Sequence, residues 1–338
     1  MPNREVAVFK MKILPSIFSL KNFIRVSLIG AVLFILTIHN GICQNHLFSS
    51  VKLIKATTDS AHSMQMLSKS SNFSPKKMSY KRLALVSTGL LALNIAAYQP
   101  FKETWWNEER THFHLYRGWR RTVGSWDFGW NDSYFGHMDK LGHYYSSKIM
   151  SEQLTNMSNW IGFSENKSRW IGPVVSSLLM LEIEIYDGFF KEWGFSLADF
   201  TANELGAFAP VIGKKFPFWR KFSLKFSYHP SHLPQNEPTF IKDYAGMTYW
   251  LSCNAGEFLP EKLKDKYPQW LNFALGYGVS KQAHGDVELF LAPDINWEKI
   301  YHGSSRAVKL FFHGLNYLHF PVFALQISPK TKFHYIYF

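Results

Sequence analysis

The apolar residues of this chain change period at Pro217, and that change constrains the fold more than any other feature. Before it, apolar residues fall in long helical runs punctuated by Gly162, Gly188, Gly194 and Gly213. After it, Phe222-Ser-Leu-Lys-Phe-Ser-Tyr228 and much of Val287-Glu-Leu-Phe-Leu291 alternate with period two, and Leu271–Val279 and Lys332–Phe338 have a similar texture. Helices followed by strands, without strand–helix alternation, predict an α+β fold. The expected architecture is an N-terminal bundle of about four apolar helices followed by a C-terminal half with a few antiparallel strands. Asp243–Cys253 and Arg306–Tyr317 read as helical.

In the helical half, Leu83 to Tyr98 is apolar around its whole circumference. Such a helix needs cover from the core of a bundle or from lipid. Pro100 is expected to end it. Further helices are expected at about Met138–Trp160, Ser168–Tyr186 and Ser196–Val211, with Ser196 as an N-cap and Asp199 completing an acidic capping box.

The N-terminus reads as an export signal. Lys12, Lys21 and Arg25 precede the apolar run Val26–Ile38, followed by Gly41-Ile-Cys43-Gln44. That run makes roughly 20 Å of helix, short of the ~30 Å hydrocarbon core, so a cleaved signal is expected rather than a permanent anchor. Cleavage before Gln44 competes with lipidation of Cys43, which Ile42 disfavours because a lipoprotein signal wants a small residue there. Residues 1–43 are assigned as signal peptide, 44–79 as a flexible leader rich in Ser, Thr, Asn and Lys, 80–216 as a helical domain and 217–338 as a strand-bearing region. If cleavage removes Cys43, Cys253 remains alone and no intramolecular disulfide is possible.

Charge and aromatic content restrict the partners. Arg4, Lys10, Lys12, Lys21 and Arg25 against Glu5 contribute +4 of the net +12, so the mature excess is moderate. The basic residues stand singly among aromatics, as in Arg117-Gly-Trp-Arg-Arg121, which argues against nucleic-acid binding. Aromatics make up 17% of the chain, and Trp105, Trp106, Trp119, Trp126 and Trp130 are interleaved with Arg110, Arg117, Arg120 and Arg121. This region reads either as a folded cap on the bundle or as an interfacial belt. Membrane or envelope lipids are therefore the expected partners, with an envelope protein as a further one. An outer-membrane β-barrel is disfavoured: stepping back by two from Phe338 meets Ile336, His334 and Lys332, a face too polar for lipid, and about four strands are too few to close.

The residues that carry chemistry lie in the helical half. Asp139 and His143 share a helix face at i and i+4, Glu184 and Asp187 are three apart at the end of an apolar helix, and Asp199 and Asn203 form a second i, i+4 pair with Gly206 beyond them. Three helices can aim all six at one locus. No nucleophile elbow, P-loop or dinucleotide fingerprint occurs, so neither nucleotide nor serine-hydrolase chemistry has local support.

The blocks His137-Met-Asp139-Lys140-Leu-Gly-His143, Glu184-Ile-Tyr-Asp187-Gly188-Phe189 and Glu192 through Asp199 and Asn203 to Gly206 resemble the YfiM-like predicted periplasmic lipoproteins over roughly residues 135–210. A fainter likeness, Asp-Lys-x-x-His followed by Asp-x-x-x-Asn, extends to VanZ-like membrane proteins. Asp243–Ser252, Leu275-Gly-Tyr-Gly278 and Ala292-Pro-Asp294 resemble the longer members of the same family. The stretch before Asp139 is longer and richer in Trp than that pattern. The resemblance implies an exported protein, periplasmic or membrane-associated, and supplies no reaction.

Three readings of the cluster follow from its residues. In the first, Asp139 and His143, with Lys140, Arg169 or Asn203, are expected to satisfy one another as a polar core that fixes helix register. Alternatively, His143 is an acid–base group oriented by Asp139, with Glu184, Asp187 or Asp199 as a second carboxylate. A metal is the third reading, but a single well-placed His supports it poorly, and no metal or cofactor is assigned. The overall expectation is a membrane-associated envelope protein with a structural or binding role, the alternative being an enzyme acting on a lipid or glycan head group.

Overall fold

In a computed structural model of the chain, residues 77–117, 128–130, 136–231, 242–281 and 284–338 are described. The expected signal peptide, almost all of the leader, Trp119 and Trp126 lie outside them. The fold is α+β: helices occupy residues 80–215 and a six-stranded antiparallel sheet the remainder. The helices are α1 (Tyr80–Thr104), α2 (Met138–Ile161), α3 (Glu165–Asp187) and α4 (Leu197–Lys215). The chain forms two compact units, one of residues up to Asn107 with Leu154–Ile171, the other of Glu108–Gln153 with Gly172–Phe338.

In the first unit, Ser79 caps α1 by accepting a hydrogen bond from the Arg82 amide. The Ser79 amide donates to the Ile161 carbonyl, and Arg82 donates to the Trp160 carbonyl while lying over its ring. Burial of α1 in a bundle core, one of the two covers its sequence allows, does not hold: only Tyr98 and Thr104 are buried, while Leu93 is 68% exposed. The helix also continues through Pro100 to Thr104, because a proline removes one amide without forbidding a further turn. Its length and hydropathy suit a membrane span, and its apolar surface is open.

In the second unit, residues 110–116 run along the α3–α4 connection. The amides of Thr111, His114 and Tyr116 donate to the carbonyls of Phe189, Gly188 and Phe195. This strap fixes the start of α4, where Ser196 caps the helix by accepting from the Asp199 amide, as its sequence predicts. Helices α2 and α4 approach closely because Gly206 has no side chain: a Cβ there would collide with Ser147 Oγ and the Tyr144 carbonyl. Ser147 donates to the Asn203 carbonyl at 2.8 Å and Ser176 of α3 to the Ser147 carbonyl at 2.8 Å, so hydroxyls tie the three helices together.

The sheet is a meander of β1 (Phe222–Tyr228), β2 (Met247–Cys253), β3 (Leu271–Val279), β4 (Val287–Ile295), β5 (Val322–Ser328) and β6 (Lys332–Tyr337), paired in that order. Residues 243–253, expected to be helical, hold β2 instead. Four of its first five residues, Met247 to Trp250, are buried on alternating faces, so the polarity alternation that marks a strand is lost. A helix, α6 (Arg306–Leu315), forms between β4 and β5 as expected, and a one-turn α5 (Glu261–Lys264) precedes β3. The outward side of β1–β3 packs on α2, where Met138 and Tyr145 meet Met247, Tyr249 and Val279.

The sheet curls until its last strand meets its second. Tyr337 lies against Trp250, with its hydroxyl 3.3 Å from that of Thr248. Gly276 makes room for the Trp250 ring, which would stand 2.7 Å from a Cβ at that position. Along the edge of β1, the Phe226 amide donates to the Tyr317 carbonyl, and the Phe226 carbonyl accepts from the His319 amide. A register shift opposite Val322–Ala324 alters the facing expected for β6. Phe333 points outward and His334 inward, as strict alternation requires, but the bulge leaves both Tyr335 and Ile336 exposed and brings Tyr337 inside.

Candidate functional site

The structure brings Asp139, His143, Glu184, Asp199 and Asn203 to one locus, with Lys140 among them. The ammonium of Lys140 bridges two helices, 2.9 Å from Asp139 on α2 and 2.6 Å from Asp199 on α4. His143 Nδ1 donates to Asn203 Oδ1 at 3.0 Å, and Asn203 Nδ2 donates to Glu184 Oε1 at 2.9 Å. The other imidazole nitrogen lies 3.5 Å from Asp139 Oδ1. The helical spacing produces this convergence: residues four apart stack on one face, so α2 and α4 each offer a polar pair to the same space. Asp187 ends α3, where its carbonyl accepts from the amides of Phe190 and Gly194, and its charge reaches Glu184. Arg169 bonds Asn166 instead, at 2.8 Å. His137 has a left-handed backbone, φ 59°, and is exposed.

Burial and mutual charge set the protonation of the cluster. Burial works against the ionised form of Asp139, but Lys140 and His143 hold its carboxyl well below the usual range. Burial also opposes charging of His143, and the carboxylates of Asp199, Asp139 and Glu184 outweigh it, so its pKa is raised well above the ordinary value. A charged imidazolium has a proton on each nitrogen, which fits donation to Asn203 on one side and to Asp139 on the other. Glu184, almost completely buried, is pushed well up by its burial, against the attraction of His143. Asp199 is raised by burial and by Asp139, with His143 and Lys140 opposing.

Donor atoms of Asp139, His143 and Asp199 lie within 4.8 Å of one another, the spread of a cation site. Lys140 already holds a positive charge between the two carboxylates. A protonated His143 also has no lone pair to give a metal, so this donor set suits the internal ammonium better than an ion.

Tyr244 completes the cluster from outside the helices: its hydroxyl donates to Asp139 Oδ1 at 3.1 Å. Nothing in the sequence marked it, because its partner is 105 residues away. A second polar cluster, inside the sheet, was also missed. Lys225 of β1 pairs with Asp294 of β4 at 2.7 Å and donates to the Ile295 carbonyl. Ser252 donates to Asp294 and accepts from Asn272. The available signal was a lysine at the inward position of an alternating strand.

These features define a class: an α+β protein with an interhelical polar cluster beside a curled antiparallel sheet. Residues 127–214, which contain Asp139, Glu184 and Asp199, match the family model described as Predicted periplasmic lipoprotein (DUF2279). That match supports an exported location, periplasmic or membrane-associated. No curated protein and no solved structure matches the chain.

Proposed function

We propose that this is a membrane-associated envelope protein with a structural or binding role, in which the Asp139–His143–Asp199 cluster locks α2, α3 and α4 in register. The observation that carries this reading is the position of Lys140, which closes the cluster on itself by neutralising Asp139 and Asp199 together. Each polar group there faces a partner from the same chain, the arrangement in which buried charge specifies one packing. The open apolar surface of α1 supports association with envelope lipids. A second reading, acid–base chemistry on a lipid or glycan head group, draws support from the partial exposure of Asp139 and His143 at the edge of the cluster.

The two readings separate in His143→Ala and His143→Gln. A register lock predicts that His143→Ala lowers both melting temperature and abundance in the envelope fraction, and that His143→Gln, which keeps a donor toward Asn203, recovers much of both. Full abundance of both variants, together with loss of the deletion strain's complementation, would overturn the structural reading in favour of the enzyme. Asp139→Asn and Asp187→Asn extend the test, and wild-type behaviour in every variant refutes both readings.

A further inference from the structure

The sheet is apolar on its outer face, the reverse of what water outside it favours. Its concave side holds the Trp250 and Phe290 core together with Lys225, Asp294, Ser252 and Asn272, with Lys225 0% exposed. Its convex side, where α2 leaves it uncovered, presents Phe273 and Leu275 of β3, Leu291 of β4, Phe323 and Leu325 of β5 and Phe333 of β6, all exposed. No outward residue of β3, β4 or β5 carries a charge or an amide. The bulge in β6 extends this surface by turning Ile336 outward beside Tyr335. A soluble sheet with one wet face is polar outside and apolar inside, and monomers in water seldom expose a contiguous apolar patch above roughly 300–600 Å².

One end of the sheet continues the same surface. The start of β1, the end of β2 and the start of β3 adjoin Trp219, Phe258 and Trp270, all exposed. Lys221 lies over the Phe258 ring at 4.3 Å. Helix α6, between the end of β4 and the start of β5, exposes Leu310 and Phe311 beside Arg306 and Lys309. Exposed aromatic rings mixed with cations match the head-group level of a bilayer, with anionic lipid as the complementary charge.

We propose that the convex face of β3–β6 lies against an envelope membrane with its strands along the surface. Its apolar side chains enter the hydrocarbon of one leaflet, while the Trp219, Trp270 and α6 rim at one end of the strands and Lys330 at the other stay at the head groups. Dimensions select one leaflet over a full span. From Phe323 to Ile327 the apolar band extends only ~13 Å at ~3.3 Å per residue, too short to cross the ~30 Å core, and the charged Lys330 turn closes its far end. Six strands of six to nine residues, with no pairing between β1 and β6, also fall short of a transmembrane barrel, whose strands run to about 9–11 residues. A second copy of the chain would cover the band without accounting for the rim of cations and aromatics.

This inference rests on the membrane association proposed above and deepens it. The test uses the full chain with Cys43→Ser and Cys253→Ser, carrying a single environment-sensitive fluorophore on Phe323→Cys, Leu291→Cys or Lys330→Cys. The proteins are mixed with phosphatidylethanolamine–phosphatidylglycerol vesicles containing brominated acyl chains. Blue-shifted emission at Phe323 and Leu291, quenched at least threefold more than at Lys330 in the β5–β6 turn, is the expected result. If the chain floats with the vesicles but Phe323 is quenched no more than Lys330, leaflet insertion of the sheet is overturned and association through α1 stands. Failure of the chain to float overturns both. A stable dimer in which Phe323 is shielded from water and from brominated lipid assigns the face to a second copy and likewise overturns the proposal.

Discussion

The helical half and the sheet each bury a lysine against an aspartate, and the surroundings of the two pairs differ. Lys225 and Asp294 meet at 2.7 Å with side chains 0% and 2% exposed, and Ser252 and the Ile295 carbonyl complete their hydrogen bonds. Lys140 and Asp199 meet at 2.6 Å, but they share their space with Asp139, His143 and Glu184, and the group remains partly open. The sheet pair is one cation with one anion. The helical cluster holds three carboxylates, and the protein resolves their competition by depressing Asp139 and raising Glu184 and Asp199. A sealed pair of this kind stabilises one conformation, whereas a partly open, crowded cluster can change its protonation when pH or a ligand changes.

The comparison breaks most readily at the lysines. Lys225→Met leaves Asp294 charged and unpaired in a closed interior, which is expected to cost about 3–5 kcal/mol. Adding Asp294→Leu should restore most of that stability. Lys140→Met is expected to cost about 1–3 kcal/mol, because His143 still faces both carboxylates and solvent reaches the site. Urea titrations followed by tryptophan fluorescence rank the two variants. Equal losses at both lysines would show that the helical cluster is as sealed as the sheet interior.

Losses smaller than that at Lys225, and comparable to that at Lys140, are expected from two glycines that set the geometry of these clusters. Gly206→Ala drives a Cβ into Ser147 and the Tyr144 carbonyl, and Gly276→Ala drives one into the Trp250 ring, which is stacked on His319 at 3.8 Å and cannot swing away. Each should cost about 1–3 kcal/mol by overpacking. Only Gly206→Ala parts α2 from α4, so it alone should shift the NMR titration of His143 toward that of a free histidine. An identical titration in both variants would mean that the α2–α4 spacing does not hold His143 beside Asn203.

What the sequence disclosed follows the range of the interactions involved. Asp139 with His143, and Asp199 with Asn203, are intrahelical repeats, so periodicity alone placed them on common faces, and the Ser196 cap was readable for the same reason. The alternation of β1 was visible, but the polar cluster at its inward Lys225 was not, because alternation alone does not tell which face is inside. Tyr244 and Asp294 were not readable as site members, because chain reversals between strands bring them to their partners. The fate of α1 was left open because an apolar circumference demands cover without stating whether protein or lipid supplies it. The facing of β6 was misread because a bulge resets the parity of a strand without any residue that announces it.

The smallest expected effect bears on how the helical cluster responds to pH. Burial raises the pKa of Glu184 well above 4.5, so its proton stabilises the fold fully below that value, and the stabilisation is lost as pH rises through the folded-state pKa. His143 behaves in the same direction: its raised pKa contributes stability below about 6.5 that disappears as pH rises through the folded value. Asp139 is opposite, stabilising above 3.8 and losing its contribution as pH falls through its depressed pKa. Glu184→Gln keeps the shape and the acceptor for Asn203 while removing the group that must ionise. Its melting temperature should match the wild type near pH 4.5 and exceed it at pH 8 by about 1–2 °C, the equivalent of ~1 kcal/mol in a chain of this length. A lower melting temperature for Glu184→Gln at pH 8 would mean that Glu184 is held as a carboxylate against His143. The helical cluster would then be a set of fixed ion pairs, like Lys225 with Asp294, and the contrast between the two halves would reduce to exposure.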